Sequence, residues 1–151
     1  MLTRPLELYK CPVCDTVVEI VNELSLELVC CGPPMVRLEE QPASPDSEPH
    51  APIVIRDGDR LCVRIGAKGH PMSVNHRICW IEVVTDGAVH RQILSPGQAP
   101  QADFAIGDED VTVRAYCNRH GLWRSFGSAL TPDQAASSGV YVSETQRAAA
   151  G

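Results

Sequence analysis

Nine side chains in this sequence have types and spacings that could bind metal. Four are cysteines in a short N-terminal stretch, Cys11-Pro-Val-Cys14 and Cys30-Cys31-Gly32. A Cys-x-x-Cys turn brings two sulfurs to one ion, and a second pair completes a tetrahedral thiolate shell. Adjacent cysteines are poorly placed to bond each other, which argues against a disulfide between Cys30 and Cys31. Zinc and iron both accept four thiolates, so spacing alone leaves the metal open between them. The other five residues are scattered: His50, then His70 and His76, then Cys117 and His120. A lone histidine is more often a surface residue than a ligand. Here four of the five histidines lie beside turns or strand ends, where side chains from separate strands can meet. Cys117-x-x-His120 is itself a ligand spacing, though a weak one. Imidazoles suit iron, copper or zinc, and a single thiolate adds a strong electron donor that favours redox iron. Five ligands on an octahedral ion leave one position for chemistry.

These residues need elements to position them. Val17 to Val21 is β-branched and reads as a strand between the two cysteine pairs. A polar, proline-rich stretch from Glu39 to Pro49 reads as a linker. Beyond it, Ile53–Ile55, Leu61–Ile65 and Val111–Tyr116 read as short strands, with a turn at Asp57-Gly58-Asp59. Asp86-Gly87 predicts a type I′ hairpin joining Ile78–Thr85 to Ala88–Leu94. With no helical stripe, the fold class is mainly β: a small metal module, residues 1–40, a linker, 41–49, and an antiparallel β-sandwich, 50–127. Residues 128–151 are mostly Ala, Ser, Thr and Gln and read as a tail with little to bury. Cys62 and Cys79 fall in strands and read as sheet residues, His90 as exposed, and Trp80 and Trp123 as core anchors.

Composition sets the outer limits. The chain has 151 residues, 44% hydrophobic, and a net charge of −6. An acidic chain lacks the basic face that nucleic acid requires. No apolar run reaches the roughly 18 residues of a membrane span. The first ten residues lack the apolar core of a secretion signal, so the expectation is a cytoplasmic protein. Seven cysteines in a reducing compartment point to metal or redox chemistry.

Several motifs together carry a resemblance. Leu6-Glu-Leu-Tyr-Lys-Cys-Pro-Val-Cys14, Val29-Cys-Cys-Gly-Pro-Pro-Met35, His70-Pro-Met72 through His76, Trp80-Ile-Glu82 and Tyr116-Cys-Asn-Arg-His-Gly-Leu-Trp123 resemble desulfoferrodoxin, the two-iron class of superoxide reductase. The likeness runs in order over about residues 5 to 126. It implies a desulforedoxin-like module with a rubredoxin-type iron at Cys11, Cys14, Cys30 and Cys31. It also implies an immunoglobulin-like sandwich whose catalytic iron has His50, His70, His76 and His120 as equatorial ligands and Cys117 as the axial one. The implied reaction is one-electron reduction of superoxide to hydrogen peroxide. The implied partners are a rubredoxin-like electron donor and a second copy of the chain in a homodimer.

One departure stands beside the first histidine. The family typically reads Glu-Lys-His-Val-Pro there, and this chain reads Glu48-Pro49-His50-Ala51-Pro52. Glu48 retains the carboxylate that can occupy the sixth position of oxidised iron. The lysine that attracts superoxide is replaced by Pro49, which has neither charge nor proton. Lys68, two residues before His70, is a candidate for the missing charge, against the plainer reading as a solvated loop lysine. The departure motivates an alternative, an iron oxidase or oxygenase acting on a small organic substrate. A non-enzymatic electron-transfer or redox-sensing protein is a third reading.

Overall fold

The computed structural model describes residues 2–25, 27–43, 49–125 and 128–139. The chain divides into two compact units, Met1–Glu39 and Glu40–Gly151.

The first unit is built on three short strands, β1 (Leu8–Lys10), β2 (Val17–Glu19) and β3 (Val36–Arg37), in the antiparallel order β2-β1-β3. Among its described residues the buried side chains are few: Thr3, Leu8, Tyr9, Cys11 and Ile20. Thr3 exchanges bonds with Leu24, the Thr3 amide donating to the Leu24 carbonyl at 2.9 Å and the Leu24 amide to Thr3 Oγ1 at 2.8 Å. Such a core is too small to fold a unit of this size without a further tie.

The second unit is a β-sandwich, antiparallel except for one edge pairing, as the strand pattern predicts, and of the immunoglobulin-like kind that the resemblance implies. Its strands are β4 (Gln41–Ala43), β5 (Pro52–Asp57), β6 (Arg60–Ile65), β7 (Ile78–Thr85), β8 (Ala88–Ile93), β9 (Gln101–Ala105), β10 (Thr112–Cys117) and β11 (Gly121–Ser125). One sheet runs β4-β11-β10-β7-β8 and the other β5-β6-β9. Alternation decides the faces. Val113, Ala115 and Cys117 of β10 point inward with Ile81 and Val83 of β7, and meet Val54, Leu61, Val63 and Ile65 from the other sheet. The alternate residues face outward. There Glu82 is fully buried between Arg114 Nε, 2.9 Å from Oε1, and Arg91 Nε, 2.9 Å from Oε2.

Three expectations change. First, the Asp86-Gly87 hairpin has its predicted register, Thr85 facing Ala88, but only Gly87 takes positive φ (94°). A type I′ turn needs positive φ at both central residues, so the turn is not of that type. Second, Gln41–Ala43, read as linker, is a parallel edge strand against β11. Pro42 is tolerated there because an edge strand has one unpaired side. Third, residues 128–139, read as tail, pack on the second sheet through a short helix, α1 (Pro132–Ser137), with Ala135 fully buried. The signal was present in Thr131-Pro-Asp-Gln134. Thr131 and Gln134 cap one another's backbone, and Pro132 starts the helix.

Strand register explains why distant residues meet. Pro52 at the start of β5 pairs with Ile65 at the end of β6. Ile78 at the start of β7 pairs with Cys117 at the end of β10, which also pairs with Gly121 at the start of β11. His50, the loop from 66 to 77, Cys117 and His120 therefore share one end of the sandwich. The register slips between Tyr116 and Cys117, leaving an extra residue, Cys79, on β7. This bulge lets Ile78 as well as Ile81 face the core opposite Cys117.

Candidate metal centres

Local backbone builds the first centre. The Cys11 amide donates to the Thr16 carbonyl at 2.8 Å and the Asp15 amide to the Cys11 carbonyl at 3.1 Å, closing a tight loop with Asp15 at positive φ (63°). The Val13 amide points at Cys11 Sγ, 3.4 Å away. A bridge between Val29 and Pro34 closes a second turn that holds Cys30 and Cys31, with Gly32 at φ 109°. All four sulfurs lie within 4.8 Å of one another. Cys14 and Cys30 are 3.7 Å apart and Cys30 and Cys31 3.8 Å. Those gaps are far longer than a disulfide. They match the edge of a sulfur tetrahedron around a metal, about 3.8 Å for 2.3 Å metal–sulfur bonds. Protonation chemistry agrees. Backbone amides of Cys14 and Val13 pull the Cys11 thiol down to about 6, and the Thr16 hydroxyl lowers Cys14. The neighbouring Cys14 sulfur pushes Cys30 up and Cys31 up to about 12. Four thiolates this close repel unless a cation sits among them.

The second centre is assembled from three segments. His50, His70, His76, His120 and Cys117 each bring a ligand atom within 4.8 Å of all the others. Around the ring, neighbouring imidazole centroids are 4.7 Å (His50–His70), 4.9 Å (His70–His76), 4.9 Å (His76–His120) and 4.5 Å (His120–His50) apart. The His50–His76 diagonal is 6.4 Å, near the ratio of a square. Cys117 is fully buried in the sandwich core, and its Sγ lies 3.6 Å from His120 Nδ1. The thiolate thus approaches the square from the core side. His50 and His70 are buried, whereas His76 is half-buried and His120 exposed, so the site opens along its His76–His120 side.

The donor atoms fit a metal ion. The Nε2 atoms of His50, His70 and His76 are buried and have no hydrogen-bond partner among the described residues. A buried polar atom left so would be costly without an ion to satisfy it. His70 Nδ1 lies 2.7 Å from the Pro71 carbonyl, which fixes the proton on Nδ1 and leaves the Nε2 lone pair for a metal. Burial, reinforced by the other imidazoles, lowers His50 to about 4. Burial likewise lowers His70 and His76. Ligating imidazole must be neutral, and this site keeps it so.

Close packing holds the end of the sandwich together. Gly66 has positive φ (78°), and a Cβ there would come within 2.5 Å of the Pro49 carbonyl oxygen. Asn118 ties the β10–β11 turn to the His76 segment. It accepts the Arg77 amide at 2.9 Å through Oδ1 and donates to the Asn75 carbonyl at 3.3 Å through Nδ2.

The remaining residues singled out in the sequence fall as follows. Glu48 lies outside the described residues. Lys68 is exposed on the turn before His70 and is no part of the ligand group. Cys62 is buried on the outer side of the second sheet, and His90 is exposed. Neither tryptophan belongs to the main core. Trp80 stacks on Tyr116 at 4.4 Å on the outer face of the larger sheet. Trp123 lies flat against His50, centroids 5.0 Å apart and planes 10° from parallel. Arg119, whose charge acts on His76, was missed although it stands between two ligands in sequence.

The family model described as "Desulfoferrodoxin, N-terminal domain" matches residues 3–38, and the one described as "Desulfoferrodoxin" matches residues 43–126. A desulfoferrodoxin homolog from Archaeoglobus fulgidus is 44% identical over 124 residues, covering 82% of this chain and 99% of the relative. A desulfoferrodoxin from Syntrophotalea carbinolica is 42% identical over 126 residues, covering 83% and 100%. The crystal structure of the superoxide reductase from Treponema pallidum superposes with a TM-score of 0.67 at 22% identity, covering 82% of this chain and all of that one. At that identity the superposition speaks to fold.

Proposed function

This chain belongs to the desulfoferrodoxin family, and we propose that it is an iron-dependent superoxide reductase working at the centre formed by His50, His70, His76, His120 and Cys117. The observation that carries the reading is the square of four imidazoles with the buried Cys117 sulfur within reach of them all and solvent along the His76–His120 side. At such a site iron supplies one electron, which with two protons turns superoxide into hydrogen peroxide.

The chain's own residues prepare that step. Burial favours the neutral form of His50, His70 and His76, the form that binds a metal. Cys117, enclosed by the core, would be the sulfur ligand of a bound iron and would raise the electron density at it. Lys68, Arg77 and Arg119 each lie within two residues of a ligand of this centre, against one carboxylate at that spacing, Glu48 before His50. A local positive rim on a chain of net charge −6 draws a small anion to this end of the sandwich.

The division of labour follows the sequence: residues 1–40 an electron-supplying module, residues 50–127 the catalytic one. Cys14, Cys30 and Cys31 are exposed, which supports electron entry from a small rubredoxin-like donor. A homodimer, which the family resemblance implies, is the proposed assembly, and Val13, Val21, Val29 and Val36 of the first unit are exposed apolar side chains available to it. Pro49, exposed beside His50 without charge or proton, favours a second reading, oxidation of a small organic molecule at the same open face.

The decisive experiment is rapid mixing of the reduced protein with a pulse of superoxide. The second centre should oxidise at a rate first-order in superoxide, releasing one hydrogen peroxide per electron. Oxidation no faster than that of free iron would remove the superoxide assignment.

A further inference from the structure

Residues 128–139 lie beyond the family match, which ends at residue 126, yet they are stitched to one particular strand. β5 is an edge strand of the smaller sheet. Its open edge is taken by Leu130, whose amide donates to the Val54 carbonyl and whose carbonyl accepts the Arg56 amide, both at 2.8 Å. The helix that follows sets Ala135 against Ile53, Ile55 and Cys62, the face of the sheet turned away from the main core. Edge and outer face of β5 are thus both closed by the same segment.

The position of β5 gives this packing a consequence. His50 ends two residues before the strand begins, and the Ala51 carbonyl between them accepts the Gly66 amide at 3.0 Å. His50 is the only ligand of its centre delivered by β5. His70 and His76 come from the β6–β7 loop, and Cys117 and His120 from the β10–β11 turn. We infer that residues 128–139 are a clamp that holds the His50 strand in place, so that metal retention at the five-ligand centre depends on a segment that supplies no ligand to it. Leu130 and Ala135 act as positioning residues. The inference rests on the reading of His50 as a metal ligand.

The first centre provides the control, because its ligands all come from the other unit. Three proteins are loaded with iron and challenged with a chelator: full-length, a form ending at residue 127, and full-length Ala135→Glu. The thiolate absorption bands of the two centres are followed separately. Iron loss from the second centre should be roughly tenfold faster in both altered proteins, the size expected when support behind a ligand is removed, with the first centre unchanged. Ala135→Ser, which keeps the residue small, should behave as the parent. Equal acceleration at both centres, or unchanged retention in Ala135→Glu, overturns the clamp. Should the shortened chain not fold by circular dichroism, Ala135→Glu against Ala135→Ser decides alone. A parent protein that binds no metal at the second centre removes the ligand assignment and the clamp together. A parent that holds iron but ignores superoxide removes only the proposed substrate.

Discussion

The two metal centres are built by opposite strategies. The first is local: two tight turns, whose inner cysteines Cys14 and Cys30 are 16 residues apart, place four sulfurs within bonding reach of one ion. Little else holds that unit, whose buried side chains number a handful. The second centre collects ligands from residues 50 to 120 and depends on the registry of two sheets. Behind it stands a continuous core of Ile, Val and Leu. A metal should therefore be a structural element in the first unit and a passenger on an existing fold in the second.

Metal removal tests that contrast most severely. Stripping both ions should unfold residues 1–39 while the sandwich keeps its core, because a structural tetrathiolate site supplies on the order of 10 kcal/mol of folding free energy to a module this small. Cys11→Ser should have the same local effect in protein otherwise loaded with metal. Amide hydrogen exchange followed by mass spectrometry reads the two units separately. Fast exchange throughout 1–39, with protection retained in β6, β7 and β10, is the expected pattern. Retained protection in the first unit without metal would end the distinction.

The same contrast explains what sequence could and could not reveal. The first centre was legible because its geometry is encoded in adjacent residues: Cys-x-x-Cys fixes a turn, and Cys30-Cys31-Gly32 fixes another. The strands were legible from β-branched alternation, and Asp86-Gly87 marked its hairpin. The square of imidazoles was not contained in any spacing. It follows from pairings such as Pro52 with Ile65 and Ile78 with Cys117, which only the folded sheets define. The ligand set came instead through the resemblance of several motifs. Trp123 looked like a core anchor because sequence cannot show which face of β11 meets His50. The clamp was missed through composition, since Ala135 matters by its small size under a helix and not by its hydrophobicity. Thr131 and Gln134 announced that helix, and went unread.

Acid should separate the centres by a smaller margin. In the folded, metal-free sandwich burial lowers His50 to about 4, against an ordinary value of 6.5. Above 6.5 neither folded nor unfolded chain binds a proton there, and the residue has no effect on the pH dependence. Between 6.5 and 4 the unfolded chain takes up the proton and the folded one does not, so stability falls as pH falls. Lowered values at His70 and His76 act in the same direction. Urea denaturation of the metal-free protein should show a midpoint that drops across this window and is flat from pH 7 to 8. Bound metal, which competes with the proton for Nε2, should shift the drop to lower pH. A midpoint that rises on acidification would mean the imidazoles are not held neutral.

The smallest effect concerns charge at the rim of the second centre, and it bears on the residue the chain has lost. Pro49 carries no cation, so any attraction for an anion must come from neighbours. Lys68 and Arg119 are both exposed, but they are not equivalent. Arg119 sits on the turn that Asn118 ties to the His76 segment, and its charge acts on His76. Lys68 lies on the turn whose Gly66 amide donates to the Ala51 carbonyl, next to His50 on the other side of the square. Arg119→Ala should slow the reaction with superoxide roughly two- to fivefold at low ionic strength, as loss of one steering charge would. That difference should shrink toward zero as salt shortens the screening length below about 10 Å. Lys68→Ala should change the rate less, and neither substitution should move the absorption of the iron–thiolate band. If Lys68→Ala proves the more damaging, the anion enters from the β6–β7 side of the square instead. A rate independent of salt in the parent protein would mean that encounter is not steered at all, and that the open face meets a neutral molecule.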